Sequence, residues 1–373
     1  MTEYYLDNAA TTAVLPCARQ AALAAMDRYG NPGSLHALGR DARALLDESR
    51  RSVAAALGCA PETLYFTSGG SESINTALRG AAHKNKHLGR HLVSTAVEHD
   101  ATLNTLRALA DEGFTVTLVP PERDGSVAAE RIAAALRPDT ILVSLMAVCN
   151  ETGAVLPLAE TRAAAAAACP QALLHVDAVQ GFGKLPLDVS ACDLLSVSAH
   201  KLGALKGSGA LYVRRGLVLR PLIAGGGQEG GLRSGTEAMP QIAAFAAAAR
   251  ERSAHLAENA ARMAALRERL IAGVRALGYA VNMPEEALRA PHIVNFSPCR
   301  GRSEVWLRAL SDMGLYLSGG SACARGKRSH VLAAMGLPKN NIDAALRVSF
   351  CPETPAEAVD ELLAALPQVG RLF

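Results

Sequence analysis

The chain has 373 residues, half of them hydrophobic and only 4% aromatic, with a formal net charge of +3. That length accommodates two domains around a large core of small aliphatic side chains. So small a charge argues against nucleic acid or an anionic membrane as the main partner, and the longest alanine tracts carry charges or end at Pro170, so none resembles a membrane span. The eight cysteines form no C-x-x-C pair and no disulfide-like framework, and MTEYYLDNAATT has neither the basic nor the apolar part of a secretory signal. Both features predict a cytoplasmic protein.

In chain order, residues 41–57 carry apolar side chains at helical spacing and stop at Gly58. LYFTSGGSES then reads as a strand that runs through a glycine turn into a helix starting near Glu72. HLVSTAVEHD, FTVTLVPPE, TILVSLMAVCNETG, ALLHVDAVQ and DLLSVSAHK read as further strands, most followed by alanine-rich helices. This βαβα order predicts an α/β fold with a mostly parallel sheet flanked by helices. GGGQEG, at residues 225–230, matches G-x-G-x-x-G, but a long alanine-rich helix follows instead of a strand bearing a ribose-binding acid, so the dinucleotide context fails. After Pro240 helical sequence runs to about Leu277, followed by HIVNFSP, a helix around residues 304–313, and LRVSF. We read residues 14–250 as a large cofactor-binding domain and 251–373 as a smaller α+β domain, joined by the N-terminal segment 1–13.

The chemistry concentrates at strand ends. Asp177 and Lys201 close two apolar runs, at the sheet edge where ligands bind in open α/β folds. The pair suits pyridoxal phosphate, with the lysine bonded to the cofactor and the acid opposite its pyridinium nitrogen. Each residue alone could simply cap a turn, but Ser198 and His200 beside the lysine would suit a phosphate. TSGGSES, residues 67–73, is either an ordinary turn with an N-cap or a phosphate cradle at a helix N-terminus. His99 follows a strand end, where a lone histidine is more often a structural residue than a catalyst. His83, His87 and His91 recur every four residues, but Gly89 interrupts them and no acid or cysteine joins them, so a solvated surface outweighs a metal site. Seven cysteines read as core fillers. Cys323 differs: glycine, serine and alanine surround it, and Arg325, Lys327 and Arg328 follow, a setting that favours a mobile thiolate. Lysine, acid and thiol together suggest sulfur chemistry on an amino acid.

LDNAATT, YGNPGSLHALGR, FTSGGSES, VEHDATL, CNETG, HVDAVQGFGKLPLD, SAHKLG, LRSGT, SGGSAC and LRVSF occur here in the order found in cysteine desulfurases. The chain therefore resembles that family of fold-type I pyridoxal-phosphate enzymes, in the class V aminotransferase group. The resemblance implies that Lys201 holds the cofactor, Asp177 pairs with its ring nitrogen, Gln180 bonds its ring oxygen, and His99 stacks on it and serves in acid–base steps. Gly70, Ser71, Ser198 and His200 would bind the phosphate, with Thr236 reaching over from the other subunit of a homodimer. Asn150 and Arg347 would hold the substrate carboxylate. The implied reaction converts L-cysteine to L-alanine while the Cys323 thiolate takes the sulfur as a persulfide. The sulfur then passes to an acceptor protein, for iron–sulfur cluster assembly or for tRNA or cofactor thiolation. The alternatives on the same fold are a selenocysteine or cysteine sulfinate lyase, or a non-catalytic sulfur-relay partner. Gly230 stands where the family usually carries arginine, Leu205 where proline is usual, and the loop after Cys323 is about two residues shorter than in close relatives. These departures bear on rate and acceptor choice more than on cofactor binding.

Overall fold

Runs of β-branched and leucine residues alternate with alanine-rich amphipathic stretches, and the backbone follows that alternation. The computed structural model describes residues 2–319 and 328–373, and it begins with β1 (Tyr4–Tyr5), α1 (Pro16–Met26) and α2 (Ala37–Leu57). Next come β2 (Leu64–Thr67), α3 (Gly70–Asn85), β3 (His91–Thr95), α4 (Asp100–Asp111), β4 (Thr115–Val119) and α5 (Ala129–Ala135). They lead to β5 (Thr140–Met146), α6 (Leu158–Ala168), β6 (Leu173–Asp177), β7 (Leu194–Ser198) and β8 (Gly209–Val213). The rest of the chain supplies α7 (Met239–Ala254), α8 (Leu256–Ala276), β9 (Ala280–Val281), β10 (Ile293–Ser297) and α9 (Ser303–Asp312). It ends with β11 (Leu315–Tyr316), β12 (Ser318–Gly319), α10 (His330–Ala334), α11 (Lys339–Asp343), β13 (Leu346–Ser349) and α12 (Glu357–Gly370).

Among the described residues, seven strands form the large sheet in the order β2-β8-β7-β6-β5-β3-β4. The five strands from β7 to β4 are mutually parallel, while β8 runs antiparallel to both β2 and β7. Strands β3, β5, β6, β7 and β8 are buried at every position, as expected when helices cover both faces. On one face Val93, Val143, Leu145 and Val176 pack with Leu46 and Val53 of α2 and Ala248 of α7. On the other, Leu92 and Leu142 meet Ile74 and Leu78 of α3 and Leu106 of α4. A separate core gathers Trp306, Phe296, Phe350 and the apolar faces of α8 and α12 around the small sheet β12-β13-β10-β9, and Leu6 inserts into it from the chain start.

The parallel sheet was legible in sequence, but five details differ from expectation. Strand β8 was not anticipated, because GSGALYV sits behind two glycines. Helix α3 starts at Gly70, about two residues early, since Gly69 (φ +153°) turns the chain without a side-chain cap. The alanine-rich run breaks at His255 into α7 and α8. The three histidines do not share a helix face. Helix α3 ends at Asn85, His83 lies 3.0 Å from Glu112, and His91 is buried in β3 between Thr140 and Thr117 hydroxyls at 2.7 and 2.9 Å. Nor are all the other cysteines core fillers: Cys17, Cys59, Cys299 and Cys351 are only half-buried, at the margins of the cores.

The glycine-rich segment 225–235 is tied to the exposed sheet edge. Glu229, buried at φ +48°, forms a two-point ion pair with Arg50 (both contacts 2.7 Å). The same carboxylate accepts the Phe66 N–H of edge strand β2 at 2.7 Å. An unpaired edge N–H is thereby covered.

Candidate active site

Strands β5, β6 and β7 end side by side, and the residues just beyond them converge on a cavity of about 410 Å³. Lys201 closes a helical turn, residues 199–201, directly after β7. Its Nζ donates to the carbonyls of Ala9 and Ala10 at 2.5 and 2.8 Å, so the N-terminal segment aims the amine. Asp177 ends β6, is buried, and accepts the Val179 N–H at 2.9 Å. Burial pushes its carboxyl above the ordinary carboxylate range, opposed by attraction to His99 and Lys201. A buried carboxyl at a cavity wall is thus provided with little counter-charge. Gln180 lines the same wall, donating Nε2 to the Ala9 carbonyl at 2.9 Å and facing His292 Nε2 across 3.4 Å.

The N-terminus of α3 forms another wall. Gly70 and Ser71 open the helix, no side chain caps it, and its first-turn N–H groups face the cavity region with the positive end of the dipole. A Cβ on Gly70 would come within 2.8 Å of Val179 Cγ2, so this wall tolerates only glycine without a shift. Ser198 lines the cavity, and the His200 ring contacts Thr11 Oγ1 at 3.1 Å through Nδ1. Burial and the nearby Lys201 charge lower His200 to about 4, so it is neutral at physiological pH. His99 caps α4: its Nδ1 accepts the Ala101 N–H at 3.1 Å.

Across the cavity, Arg347 on β13 is almost wholly buried. It donates to the Asn150 carbonyl at 2.9 Å and to Asp7 Oδ1 at 2.8 Å, and its Nε has no partner among the described residues. The fold thus brings Gly70, Ser71, His99, Asn150, Asp177, Gln180, Ser198, His200, Lys201 and Arg347 to one cavity. Thr236 is exposed and does not line it. Cys323 lies outside the described residues. Cys149, one residue before Asn150, is fully buried, and burial raises its thiol pKa, which disfavours a reactive thiolate there.

Among the titratable lining residues, sequence reasoning missed three: Asp100, Glu151 and His330. Glu151 is buried, accepts the Ser329 hydroxyl at 2.5 Å, and is pushed by burial up to about 7. His330 opens α10, with Nε2 3.0 Å from the Glu98 carbonyl. Glu151 lies within CNETG and His330 just beyond the basic stretch after Cys323, but only tertiary proximity brings them together. Beneath them Glu98 is wholly buried; burial raises it to about 8, and its Oε2 has no partner among the described residues.

Residues 4–362 match the model of the class-V aminotransferase family. A NifS/IcsS protein homolog of Lactobacillus delbrueckii subsp. bulgaricus is 40% identical over 99% of this chain and 97% of that protein. Cysteine desulfurase IscS of Methanosarcina thermophila is 37% identical over 98% of this chain and 91% of its own length. Among solved structures, a NifS-like protein superposes with a TM-score of 0.94 at 35% identity, covering all of both chains. The structure of SspA in complex with cysteine superposes with a TM-score of 0.81 at 32% identity, covering 94% of this chain and all of the other.

Proposed function

The chain belongs to the class-V aminotransferase family of pyridoxal-phosphate enzymes, and on that premise we propose that it is a cysteine desulfurase. It converts L-cysteine to L-alanine and transfers the sulfur, through Cys323, to an acceptor protein. The observation that carries this reading is the convergence of an amine, a buried carboxyl and an uncapped helix N-terminus on one cavity, opposite a buried guanidinium.

These residues fit pyridoxal phosphate. The amides of Gly70 and Ser71, with Ser198 and His200, form a cradle for the phosphate that a side chain at position 70 would fill. The buried Asp177 supplies the partner that a pyridinium needs, and Gln180 lies beside it for the ring oxygen. When bound, the cofactor acts as an electron sink for the amino acid attached to it.

The chain's own groups do the rest. Arg347 binds the substrate carboxylate, with Nε an available donor and the Asn150 carbonyl holding the guanidinium plane. Lys201 anchors the cofactor and moves the α-proton at Nζ. His99 lines the cavity where it would help hold the cofactor ring, and it donates from Nε2 because Nδ1 is engaged with the helix backbone. At Cys323, the thiolate forms a bond to the substrate sulfur as the Cβ–S bond breaks; the Cβ then receives a proton and alanine leaves. Thr236 of the partner subunit completes the phosphate site in a homodimer. Residues 14–250 form the cofactor domain and 251–373 the smaller one, joined by 1–13. The setting is cytoplasmic, and the acceptor serves iron–sulfur cluster assembly or tRNA or cofactor thiolation. Among the described residues no helix is long and apolar enough to cross a membrane.

Mass spectrometry after a pulse of L-cysteine tests the reading. The added sulfur atom is expected on the Cys323 peptide, and Cys323→Ser is expected to bind cofactor normally yet release almost no sulfide. Undiminished sulfide release by Cys323→Ser would move the assignment to a lyase.

A further inference from the structure

Three histidines line the cavity, His99, His200 and His330, and a backbone group fixes the tautomer of the first and the last. His99 Nδ1 accepts the Ala101 N–H, so its proton resides on Nε2 and the neutral ring offers only a donor to the cavity. His330 is the reverse case. Its Nε2 lies 3.0 Å from the Glu98 carbonyl, and a carbonyl only accepts, so Nε2 carries the proton and Nδ1 keeps its lone pair. The half-buried ring is held in place. Val331 and Leu332 behind it are fully buried, and Ser329 Oγ caps the Leu332 N–H at 3.0 Å while donating to Glu151.

We propose that His330 is a second acid–base residue of the site, accepting the thiol proton of the amino-acid substrate at Nδ1. The inference rests on the cysteine desulfurase reading given above. A cysteine thiol titrates near ~8.5 and is largely protonated at neutral pH. Neutral His99 has no lone pair to offer it, whereas His330 does. In the step, the S–H bond breaks, its electron pair stays on sulfur, and the proton joins Nδ1. The resulting imidazolium keeps its Nε2–H on the Glu98 carbonyl, a bond that strengthens with the charge. Asp100 and Glu151 share the cavity wall and favour that cation when ionised, while Arg347 and Lys201 oppose it; His99 and His200 line the same cavity, and the Glu98 carbonyl holds Nε2.

His330→Gln in the cofactor-loaded enzyme is the test, because the glutamine amide can still donate to the Glu98 carbonyl while the base at Nδ1 is gone. We expect an unchanged cofactor absorbance band and unchanged cysteine affinity. The kcat at pH 7 should drop by about 10²-fold. It should then recover by roughly tenfold per pH unit toward pH ~8.5, as the substrate thiol ionises unaided. In the wild-type protein, nitrogen-15 NMR should find the neutral His330 ring protonated at Nε2. An unchanged kcat, a loss that does not vary with pH, or a ring protonated at Nδ1 overturns the role of His330. A wild-type enzyme that makes no alanine from L-cysteine overturns the functional reading itself, so the two failures are distinguishable.

Discussion

Asp177 shows how one side chain can trade stability for function. In the cofactor-free chain its carboxyl is buried, held by one backbone N–H, and shifted upward by desolvation. A group whose folded pKa lies above its unfolded value loses stability as the pH rises past that range, so at pH 7 the ionised form is a liability. Asp177→Asn keeps the acceptor for Val179 N–H and removes the charge. The cofactor-free variant should be more stable than wild type by about 1–2 kcal/mol in denaturant titration. Its cofactor should bind more weakly, and turnover should fall by at least ~10²-fold. A less stable cofactor-free variant would contradict this account of the carboxyl.

At the level of elements, two polar devices hold the large sheet together. His175, in the middle of β6, bonds to Ser144 on β5 and Ser196 on β7, each at 2.9 Å, and burial lowers it to about 3. The unfolded chain takes up this proton near 6.5, whereas the folded chain resists until about 3. Stability is therefore full above 6.5 and drains as pH falls through that window. With about 1.4 kcal/mol per pKa unit, the histidine accounts for roughly 5 kcal/mol of that decline. Comparing wild type with His175→Gln between pH 7 and 4 should show a shallower slope in the variant; parallel curves would refute the assignment. The second device is the Glu229 tie to the edge strand. Glu229→Ala leaves Arg50 and the Phe66 N–H without their carboxylate, and should cost about 3 kcal/mol in chemical unfolding. A loss below about 1 kcal/mol would mean that water replaces the carboxylate freely.

Six of the seven strands of the large sheet were readable because each joins local β propensity to a turn signal, and their ends located Asp177, Lys201 and His99. The break at His255 was not readable, since no glycine or proline marks it. Glu151 and His330 escaped notice for a different reason. The Ser329–Glu151 bond spans 178 positions and the Arg347–Asp7 ion pair 340, and no local pattern encodes partners so remote.

On the scale of the whole molecule, Thr236 is exposed on the segment that Glu229 and the Arg233–Glu72 ion pair fix beside α3. A homodimer would turn it toward the neighbouring phosphate cradle. Equilibrium sedimentation at micromolar concentration should find a dimer, and Thr236→Ala should weaken cofactor retention by about tenfold without changing the sedimentation profile, the effect expected from loss of about one hydrogen bond. A monomer retaining cofactor at full occupancy would rule out a shared site.

The first dozen residues tie the two ends of the chain together. Leu6 fills the C-terminal core, Asn8 Nδ2 donates to the Ser349 carbonyl 341 positions away, and Ala9 and Ala10 hold the Lys201 amine. During synthesis these residues leave the ribosome long before their partners on β13. The large sheet can assemble while translation continues, yet the pocket around Lys201 lacks its Arg347 wall until β13 has been made. Such closure between distant chain positions is entropically slow and comes late in folding. A chain that has not yet made β13 lacks Arg347, the guanidinium proposed to bind the substrate carboxylate.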